Sequence, residues 1–576
     1  MRFRIRTKFL HLLPLSLLTG LTTLSPSEAA LSADRLTAII SGAEVSVPLD
    51  DVERFAITGE ISEPFEPLAQ ELGEPTLTQM RGILLKRLTI DADDVERLTD
   101  TPLMEPLFEG LGKAFQSPED ETGYADIQTA IVRAAYSEDG LTLLNVMRQF
   151  PSDALEIEVP YIIQLIVELE VLIAYRESTV HAIAQDAEQE ATSASSETIT
   201  ELPDLRSSGS YSVEKQSFSF SIRQPRLTPS GLAMSYDLPV DLYLPQDISQ
   251  PVPLIVMSHG FGATRTNYAY LAEHLASHGF AVAALEHIGS DLQYRQVFLE
   301  GELDDIIRPL EYISRSLDIT YLLDNLEAVV QEDEELADRL DLEQIGVMGN
   351  SFGGTTALSV AGAPFNPDRL RQDCSDDRIT VSVSFMIQCI AKDAPFANLD
   401  LSDRRIKAVL AAYPMTSSVF GPEGISQITV PTMIVAGSED FLAPVVQDQI
   451  HPFIWLQTPN KYLALMVPGT HFSSSDDAYV QDFPPSLLGP STALGREYLQ
   501  GLSVAFFGAY LGGDRMRSRY QPYLNSAYVQ RISQDPLQLY LIQSLTPAQL
   551  EQAYGGFPPS PIIPAPVTAT SSTSSR

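Results

Sequence analysis

The sequence predicts an α/β fold: a mainly parallel sheet with helices on both faces, preceded by an all-helical N-terminal domain. After about residue 210, short apolar runs such as "PLIVMSHG" and "TMIVAGSED" alternate with helical stretches, as in buried parallel strands joined by crossover helices. Before about residue 190, apolar residues recur at helical spacing instead, which is typical of amphipathic helices. A polar, Ser/Thr-rich stretch at 186–210 separates the two patterns and predicts a linker.

Eight runs in the second region are predicted strands, and helices are predicted at 267–277 and 353–363. The strand-like runs are "SVEKQSFSFSI", "PVDLYLP", "PLIVMSHG", "FAVAALEH", "IGVMGN", "IKAVLAAYP", "TMIVAGSED" and "YLALMVPG".

In the first region, "DDVERF" (50–55) and "DDVERL" (93–98) are near-copies, each with acidic residues placed to begin a helix. Residues 161–184 are predicted to form one long helix. These patterns divide the chain of 576 residues into five predicted segments. They are a signal peptide (1–29), a helical N-terminal domain (30–185), a linker (186–216), an α/β domain (217–545) and a disordered tail (546–576).

The chain is strongly acidic, with 37 Lys and Arg against 76 Asp and Glu and a net charge of −39. This charge repels polyanions, so no nucleic acid partner is expected. Anionic membrane surfaces are disfavoured for the same reason.

The N-terminus has the pattern of a secretory signal peptide. Four basic residues precede a mostly apolar run at 9–24, and "SPSEAALS" then places small residues at Ser27 and Ala29, where a signal peptidase cleaves. The run is short for a membrane span of about 20 residues. The sequence therefore predicts an exported protein, periplasmic or secreted, with no transmembrane segment in the mature chain.

Cys374 and Cys389 are the two cysteines of the chain. In an exported protein, two cysteines at this spacing predict one disulfide bond. The alternative is a pair of buried free thiols. A disulfide here closes a loop of about 15 residues and contributes roughly 3 kcal/mol to stability.

A candidate nucleophile lies in "QIGVMGNSFGGTTALSVAGA" (344–363). Gly349, Ser351 and Gly353 form G-x-S-x-G between a predicted strand and a predicted helix, which is the context of a nucleophile elbow. The glycines remove side chains that would collide in the tight turn, leaving the serine hydroxyl exposed. The pattern alone is weak, and a strand-to-helix turn with a capping serine is the alternative.

A serine hydroxyl needs a base to take its proton. In an α/β-hydrolase fold the chain order is nucleophile, acid, histidine, which leaves His451 and His471 among the eight histidines. His471 follows an apolar run and is favoured, because His451 lies in a predicted helix. Asp440, at the end of "TMIVAGSED", is the favoured orienting carboxylate, with Glu439 as its rival.

The strand "LIVMSHGFGATR" (254–265) ends in His-Gly-Phe-Gly, a loop able to direct a backbone N–H at a developing oxyanion. The predicted oxyanion donors are the N–H groups of Phe261 and Phe352. His259 and His287 lack a plausible third metal ligand, so the sequence predicts no metal and no cofactor.

These residues carry a family resemblance. "LIVMSHGFGATRTNYAYLAEHLASHGFAVAALEH" followed by "GNSFGG" resembles the platelet-activating-factor acetylhydrolase branch of the α/β-hydrolases, over roughly residues 235–475. The resemblance implies a calcium-independent serine esterase acting on short or oxidised acyl groups of phospholipids, of the 1-alkyl-2-acetylglycerophosphocholine esterase type, or on similar small esters. "GLTLLNVMRQFPS" (140–152) resembles a helical domain of unknown function fused to cyanobacterial hydrolases.

The chain departs from that family at one position. The animal acetylhydrolases take their acid from the strand after the nucleophile helix, but the matching "IKAVLAAYPM" contains no carboxylate. Asp440 lies one strand later.

Three functions therefore compete. They are a serine esterase or lipase-like hydrolase, a peptidase or amidase using the same residues, and a catalytically silent scaffold that binds ligands. The assembled elements favour the esterase. The long connections at 288–320 and 364–404 are expected to form a cap over Ser351, beside the helical domain.

Overall fold

The computed structural model describes residues 32–556, apart from 89, 102–103, 118–122, 194–201, 304, 376–377, 397–398 and 482. The predicted signal peptide and residues 557–576 of the predicted tail lie outside the described residues.

The N-terminal region is not all-helical, because it contains a four-stranded sheet in the order β2-β1-β4-β3. Its strands are β1 (Arg35–Ile40), β2 (Ala43–Pro48), β3 (Phe115–Gln116) and β4 (Ala154–Ile157). Its helices are Leu49–Thr58, Glu66–Ile83, Ala92–Thr99, Glu105–Ala114, Tyr124–Tyr136, Leu143–Arg148 and Val159–Glu170. Both "DDVER" copies begin helices, as predicted.

The first hairpin explains why the all-helical expectation was wrong. Strands β1 and β2 pair antiparallel, with Ile40 opposite Ala43. The two intervening residues, Ser41 and Gly42, have φ of 51° and 82°, as a type I′ turn requires. Alternating apolar residues on both sides of this two-residue turn are the signal of a hairpin, and helical periodicity elsewhere in the region obscured it.

A long helical segment joins the two regions. It runs from Val159–Glu170 through a π-turn at Val171–Tyr175 into the helix Arg176–Ser193. The predicted linker therefore begins too early, since 186–193 are helical, and it ends too late, since β5 begins at Val213. Its polar residues are held by contacts: Asp186 accepts from Gln549 (2.7 Å) and Glu190 accepts from Ser526 (2.6 Å).

The larger region is built on a nine-stranded sheet in the order β15-β14-β13-β12-β11-β9-β10-β8-β5. The six strands from β14 to β10 are parallel, and antiparallel strands flank them on both sides. The strands are β5 (Val213–Ile222), β6 (Arg226–Thr228), β7 (Gly231–Ala233), β8 (Tyr236–Pro245), β9 (Val252–Ser258), β10 (Ala281–Leu285), β11 (Leu340–Asn350), β12 (Ile406–Ala412), β13 (Thr432–Gly437), β14 (Lys461–Val467) and β15 (Gln538–Ile542), with β6 and β7 forming a separate hairpin.

Helices cover both faces of this sheet, as predicted. Alternate residues of β9 face different clusters: Val256 joins the helix Glu311–Glu332 on one face, and Ile255 joins the helix Thr492–Leu511 on the other. The remaining helices of this region are Ala269–Ser277, Leu292–Leu299, Glu334–Ala337, Phe352–Val360, Pro367–Asp373, Val383–Ile390, Gly421–Ile425, His451–Trp455, Asp477–Val480, Pro485–Leu488, Gly513–Tyr520, Ser526–Ile532 and Pro547–Tyr554.

The helix Pro547–Tyr554 corrects the predicted start of the disordered tail at 546. Thr546 and Gln549 form a reciprocal capping box at its N-terminus, which satisfies two backbone donors at once. Leu550 is fully buried. The Pro/Ser/Thr composition of the following residues masked these local signals.

The predicted disulfide is confirmed. Cys374 and Cys389 are bonded, with their Cα atoms 5.4 Å apart, and the bond links the helices Pro367–Asp373 and Val383–Ile390. Within the described ranges, no helix has both the length and the apolarity needed to cross a membrane.

Removal of this disulfide is expected to lower the free energy of unfolding by about 3 kcal/mol, because the unfolded chain regains the entropy of a 15-residue loop. The measurement is denaturant unfolding of the double variant Cys374→Ser/Cys389→Ser beside the oxidised wild type. Added reductant should destabilise the wild type and leave the double variant unchanged. Equal stability of the two proteins would contradict the expectation.

Candidate active site

The sharp turn at Ser351 has the geometry of a nucleophile elbow. Ser351 joins β11 to the helix Phe352–Val360 with φ 55° and ψ −124°, a backbone conformation that non-glycine residues rarely adopt. Its N–H donates to the carbonyl of Ala412 at 2.8 Å. A Cβ atom on Gly349 would lie 2.1 Å from the carbonyl oxygen of Gly353, and one on Gly353 would lie 2.0 Å from that of Ser258. Glycine is therefore required on both sides of the serine.

Asp440 and His471 are in direct contact. His471 Nδ1 lies 2.8 Å from Asp440 Oδ2, and both side chains are at least nine-tenths buried. A carboxylate can only accept, so Nδ1 carries the proton and Nε2 keeps its lone pair in the neutral ring. Asp440 follows β13 and His471 follows β14, and parallel strands end at the same edge of the sheet. This arrangement leaves the imidazole with a free basic nitrogen.

The two rival residues lie elsewhere. Glu439 points towards the N-terminal region and pairs with Arg176 at 3.2 Å, with 48% of its side chain exposed. His451 is buried in its own helix between the rings of Tyr175 and Trp455. Neither residue lines the cavity at Ser351.

Gln449 is a member of this site that sequence reasoning missed. Its Nε2 donates to Asp440 Oδ2 (2.8 Å) and to the Ala443 carbonyl (2.7 Å), while its Oε1 accepts from the Gly437 N–H (3.1 Å). The Ala443 N–H donates to the other Asp440 oxygen at 2.8 Å. These bonds fix the carboxylate plane. An interior glutamine nine residues after Asp440 carries no recognisable sequence signal.

The two candidate oxyanion donors flank Ser351 on different elements. Phe352 is the first residue of its helix, where N–H groups have no partner within the helix. Phe261 lies in the loop after β9, and together with Gly260 it lines the same cavity as Ser351 and His471. Both N–H groups thus lie at the same edge of the sheet as Ser351.

Ser351 and His471 open into a cavity of about 400 Å³. Its walls are mainly apolar and aromatic, which suits an uncharged acyl chain. The two long connections both contribute, through Phe298 and Ile306 in the first and through Val383 and Ile387 in the second. Residues after His471 complete the wall, among them Phe472, Tyr479, Phe483 and Leu487.

The N-terminal region supplies part of the same cavity, through Leu98 and Met104. Contacts between the two regions hold this wall in place. Asp94 accepts from the N–H and the hydroxyl of Ser486, and these bonds, together with Arg97, hold the pKa of Asp94 below its usual value despite desolvation. The sequence predicts that this region lies beside the cap, but it carries no signal for the individual residues of the wall.

His259 and His287 lie side by side with ring centroids 5.2 Å apart, but each ring is used in hydrogen bonds. The backbone N–H of His287 donates to His259 Nε2 at 2.9 Å, and His287 Nδ1 donates to Asp318 at 2.9 Å. Burial lowers the pKa of both rings well below the usual value. Among the described residues, no group of three or more His, Cys, Asp or Glu side chains could hold a metal ion.

Two family models match the chain. The model described as "Alpha/beta hydrolase of unknown function" matches residues 32–158, and the model "Platelet-activating factor acetylhydrolase, isoform II" matches residues 234–300. The first match covers the N-terminal region, which holds none of the candidate site residues. The second covers the loop after β9 and the strand β10.

Curated relatives extend the second match. The platelet-activating factor acetylhydrolase of Canis lupus familiaris is 31% identical over 155 residues, which cover 22% of this chain and 35% of the relative. That of Bos taurus is 31% identical over 137 residues, covering 18% and 31%. The chain thus spans about a third of the length of these relatives.

The sheet order and these matches show that the chain has an α/β-hydrolase fold. It is similar to the platelet-activating factor acetylhydrolases, in the segment that carries the "LIVMSHGFGATR" motif. The resemblance predicted from the sequence is confirmed.

Proposed function

We propose that this protein is an exported serine esterase that hydrolyses carboxylic esters through Ser351, Asp440 and His471. The observation that carries the proposal is the buried Asp440–His471 hydrogen bond at the cavity that Ser351 also lines. A histidine with its Nδ1 proton held by a carboxylate is oriented to accept a proton at Nε2. The strained conformation of Ser351 supports its assignment as the nucleophile.

In the proposed reaction, Ser351 Oγ attacks the ester carbonyl carbon while His471 Nε2 takes the hydroxyl proton. The carbonyl oxygen becomes an oxyanion and accepts hydrogen bonds from the N–H groups of Phe261 and Phe352. His471 then gives its proton to the departing alkoxide, leaving an acyl-enzyme. Water then attacks the acyl carbon while the same nitrogen takes its proton. His471 Nε2 returns this proton to Ser351 Oγ as the bond between Oγ and the acyl carbon breaks, which releases the carboxylic acid and the free serine.

The lining of the cavity suits an ester substrate that has an apolar acyl chain and an anionic group close to the ester. Its volume of about 400 Å³ and its aromatic walls suit a short or oxidised chain. Arg295 lines the same cavity, with its guanidinium 5.4 Å from the Tyr479 ring centroid. This cation would attract the phosphate of a phospholipid substrate, the substrate class that the family resemblance implies.

Export is supported by two features. The basic start, apolar run and small residues at 27 and 29 have the order of a signal peptide. The Cys374–Cys389 disulfide belongs to an oxidising compartment such as the periplasm or the extracellular space.

The proposal predicts that Ser351→Ala lowers kcat for a short-chain p-nitrophenyl ester by at least about a thousandfold, because only the oxyanion donors and substrate binding remain. A fluorophosphonate probe should label the wild type and leave Ser351→Ala unlabelled, with circular dichroism as the control for folding. A folded Ser351→Ala protein with near-normal turnover would refute the proposed nucleophile. Hydrolysis of amide but not ester substrates by the wild type would identify a peptidase instead.

Asp440→Asn and Glu439→Gln form a matched pair of neighbouring amide substitutions. We expect Asp440→Asn to lower kcat by up to about ten-thousandfold, because the neutral amide no longer fixes the Nδ1–H tautomer of His471. Glu439→Gln loses only the partly exposed contact with Arg176, so its kcat should stay within about threefold of wild type, since such pairs contribute about 0–1 kcal/mol. The opposite ranking in the same ester assay would overturn the assignment.

A larger side chain at position 98 should narrow the cavity and change selectivity for acyl chain length, without changing the reacting groups. Leu98→Trp adds volume to the cavity side contributed by the N-terminal region, so kcat/KM for octanoyl relative to acetyl esters should fall by about tenfold or more. Leu85→Trp is the control, because Leu85 is 43% exposed and does not line the cavity. The same selectivity in both variants would show that this wall does not contact the acyl chain.

A further inference from the structure

A fully buried arginine holds the loop that carries Phe261. Arg315 lies on the helix Glu311–Glu332 and has no exposed surface. Its Nη1 donates to the carbonyl of His259 at 2.7 Å and its Nη2 donates to the carbonyl of Gly260 at 3.2 Å. Burial lowers the pKa of Arg315 to about 9, which leaves the guanidinium charged at neutral pH.

The Gly260 carbonyl has a second donor in the His259 ring. The backbone N–H of His287 donates to His259 Nε2, so the proton of the neutral His259 ring lies on Nδ1. Nδ1 in turn donates to Gly260 O at 2.7 Å. One carbonyl oxygen is thus held by a guanidinium and an imidazole at once.

The Gly260 carbonyl and the Phe261 N–H belong to the same peptide group. That group is planar and trans, so its C=O and N–H point in opposite directions. Fixing the oxygen towards Arg315 and His259 therefore directs the Phe261 N–H away from them. Hydrogen bonds at the oxygen also polarise the peptide and make its N–H a stronger donor.

Arg315 contacts the second donor residue as well. Its guanidinium carbon lies 4.5 Å from the centroid of the Phe352 ring, within the range of a cation–π interaction. Its Nε donates to Ser290 Oγ at 2.8 Å, and that hydroxyl donates to Glu311 at 2.7 Å. The Arg315 side chain therefore contacts the Phe352 ring and the peptide group that carries the Phe261 N–H, the two residues whose N–H groups would stabilise the oxyanion.

We propose that Arg315 is a positioning residue for the oxyanion hole, acting through the Gly260–Phe261 peptide and the Phe352 ring. The inference rests on the proposed function, because the oxyanion arises only if Ser351 attacks a carbonyl. The competing role is neutralisation of the buried carboxylates Glu311 and Asp318. Arg226 already pairs with both, at 3.1 Å each. Within the described part of the chain, Arg315 instead donates hydrogen bonds to neutral groups, the Ser290 hydroxyl and the carbonyls of His259 and Gly260.

The test compares Arg315→Met and Arg315→Lys with Arg226→Met in the full-length protein. Arg226→Met is the matched control, because it removes a buried guanidinium from the same cluster without touching the loop. The readouts are kcat and KM for a short-chain p-nitrophenyl ester, per site labelled by a fluorophosphonate. A third readout is the affinity of a trifluoromethyl ketone, which forms a tetrahedral oxyanion on the serine.

We expect Arg315→Met to lower kcat by about 10- to 100-fold with KM changed less than about threefold. Trifluoromethyl ketone affinity should fall by a similar factor, since the ketone needs the same donors. Arg315→Lys should recover part of the loss, because an ammonium can still reach one carbonyl. Arg226→Met should lower the melting temperature and keep kcat per labelled site within about threefold.

If Arg315→Met fails to fold, Ser290→Ala replaces it in the test. This variant removes the acceptor of the Arg315 Nε hydrogen bond and keeps the charge of the guanidinium. A loss of about three- to tenfold in kcat and in ketone affinity is then expected. Two outcomes with an active wild type would overturn this inference alone. In the first, the folded variants of Arg315 or Ser290 keep the wild-type kcat and ketone affinity. In the second, their losses only equal those of Arg226→Met. A wild type that neither labels nor hydrolyses esters would overturn the proposed function and this inference with it.

Discussion

The candidate site depends on how closely three backbone segments approach at Gly349 and Gly353. A side chain on Gly353 would meet the carbonyl of Ser258 at 2.0 Å, and Ser258 is the last residue of β9. The contact that seats the helix after Ser351 therefore also sets the distance to the loop of Phe261. Ser351 is held at φ 55°, a strain of about 1–3 kcal/mol. It persists because β9, β11 and the helix together over-determine the turn.

Local patterns predicted the centre of the larger region well. The eight predicted runs correspond to strands of the nine-stranded sheet. Six of them are its parallel strands, and buried parallel strands are recognisable because they need continuous apolar residues. The ninth strand, β15, was missed since "QLYLI" lies between polar turns near the C-terminus. Asp440 and His471 could be placed at strand ends, and parallel strand ends share one edge of the sheet. Their contact thus follows from topology as much as from motif.

Features that depend on distant parts of the chain could not be predicted. Arg315 is 55 residues from Gly260 and lies in a helix whose sequence, "EYISRSLDIT", gives no sign that its charges are buried. Burial of Arg315 and Asp318 becomes possible only when the sheet brings their partners to them. The strands of the N-terminal region could not be predicted for another reason. β1 and β4 pair across more than a hundred residues, so neither segment carries the full signal of a sheet.

Leu98 and Met104 close one side of a cavity that Ser351 shares, so a ligand that fills it touches both regions of the chain. The binding free energy of such a ligand then also stabilises the association of the two regions, in addition to hydrogen bonds such as that between Asp94 and Ser486. By thermodynamic linkage, occupancy favours the joined arrangement and the joined arrangement favours occupancy. Substitutions that loosen this joint far from Ser351 would therefore raise the ester concentration needed to occupy the site, even with every reacting group in place.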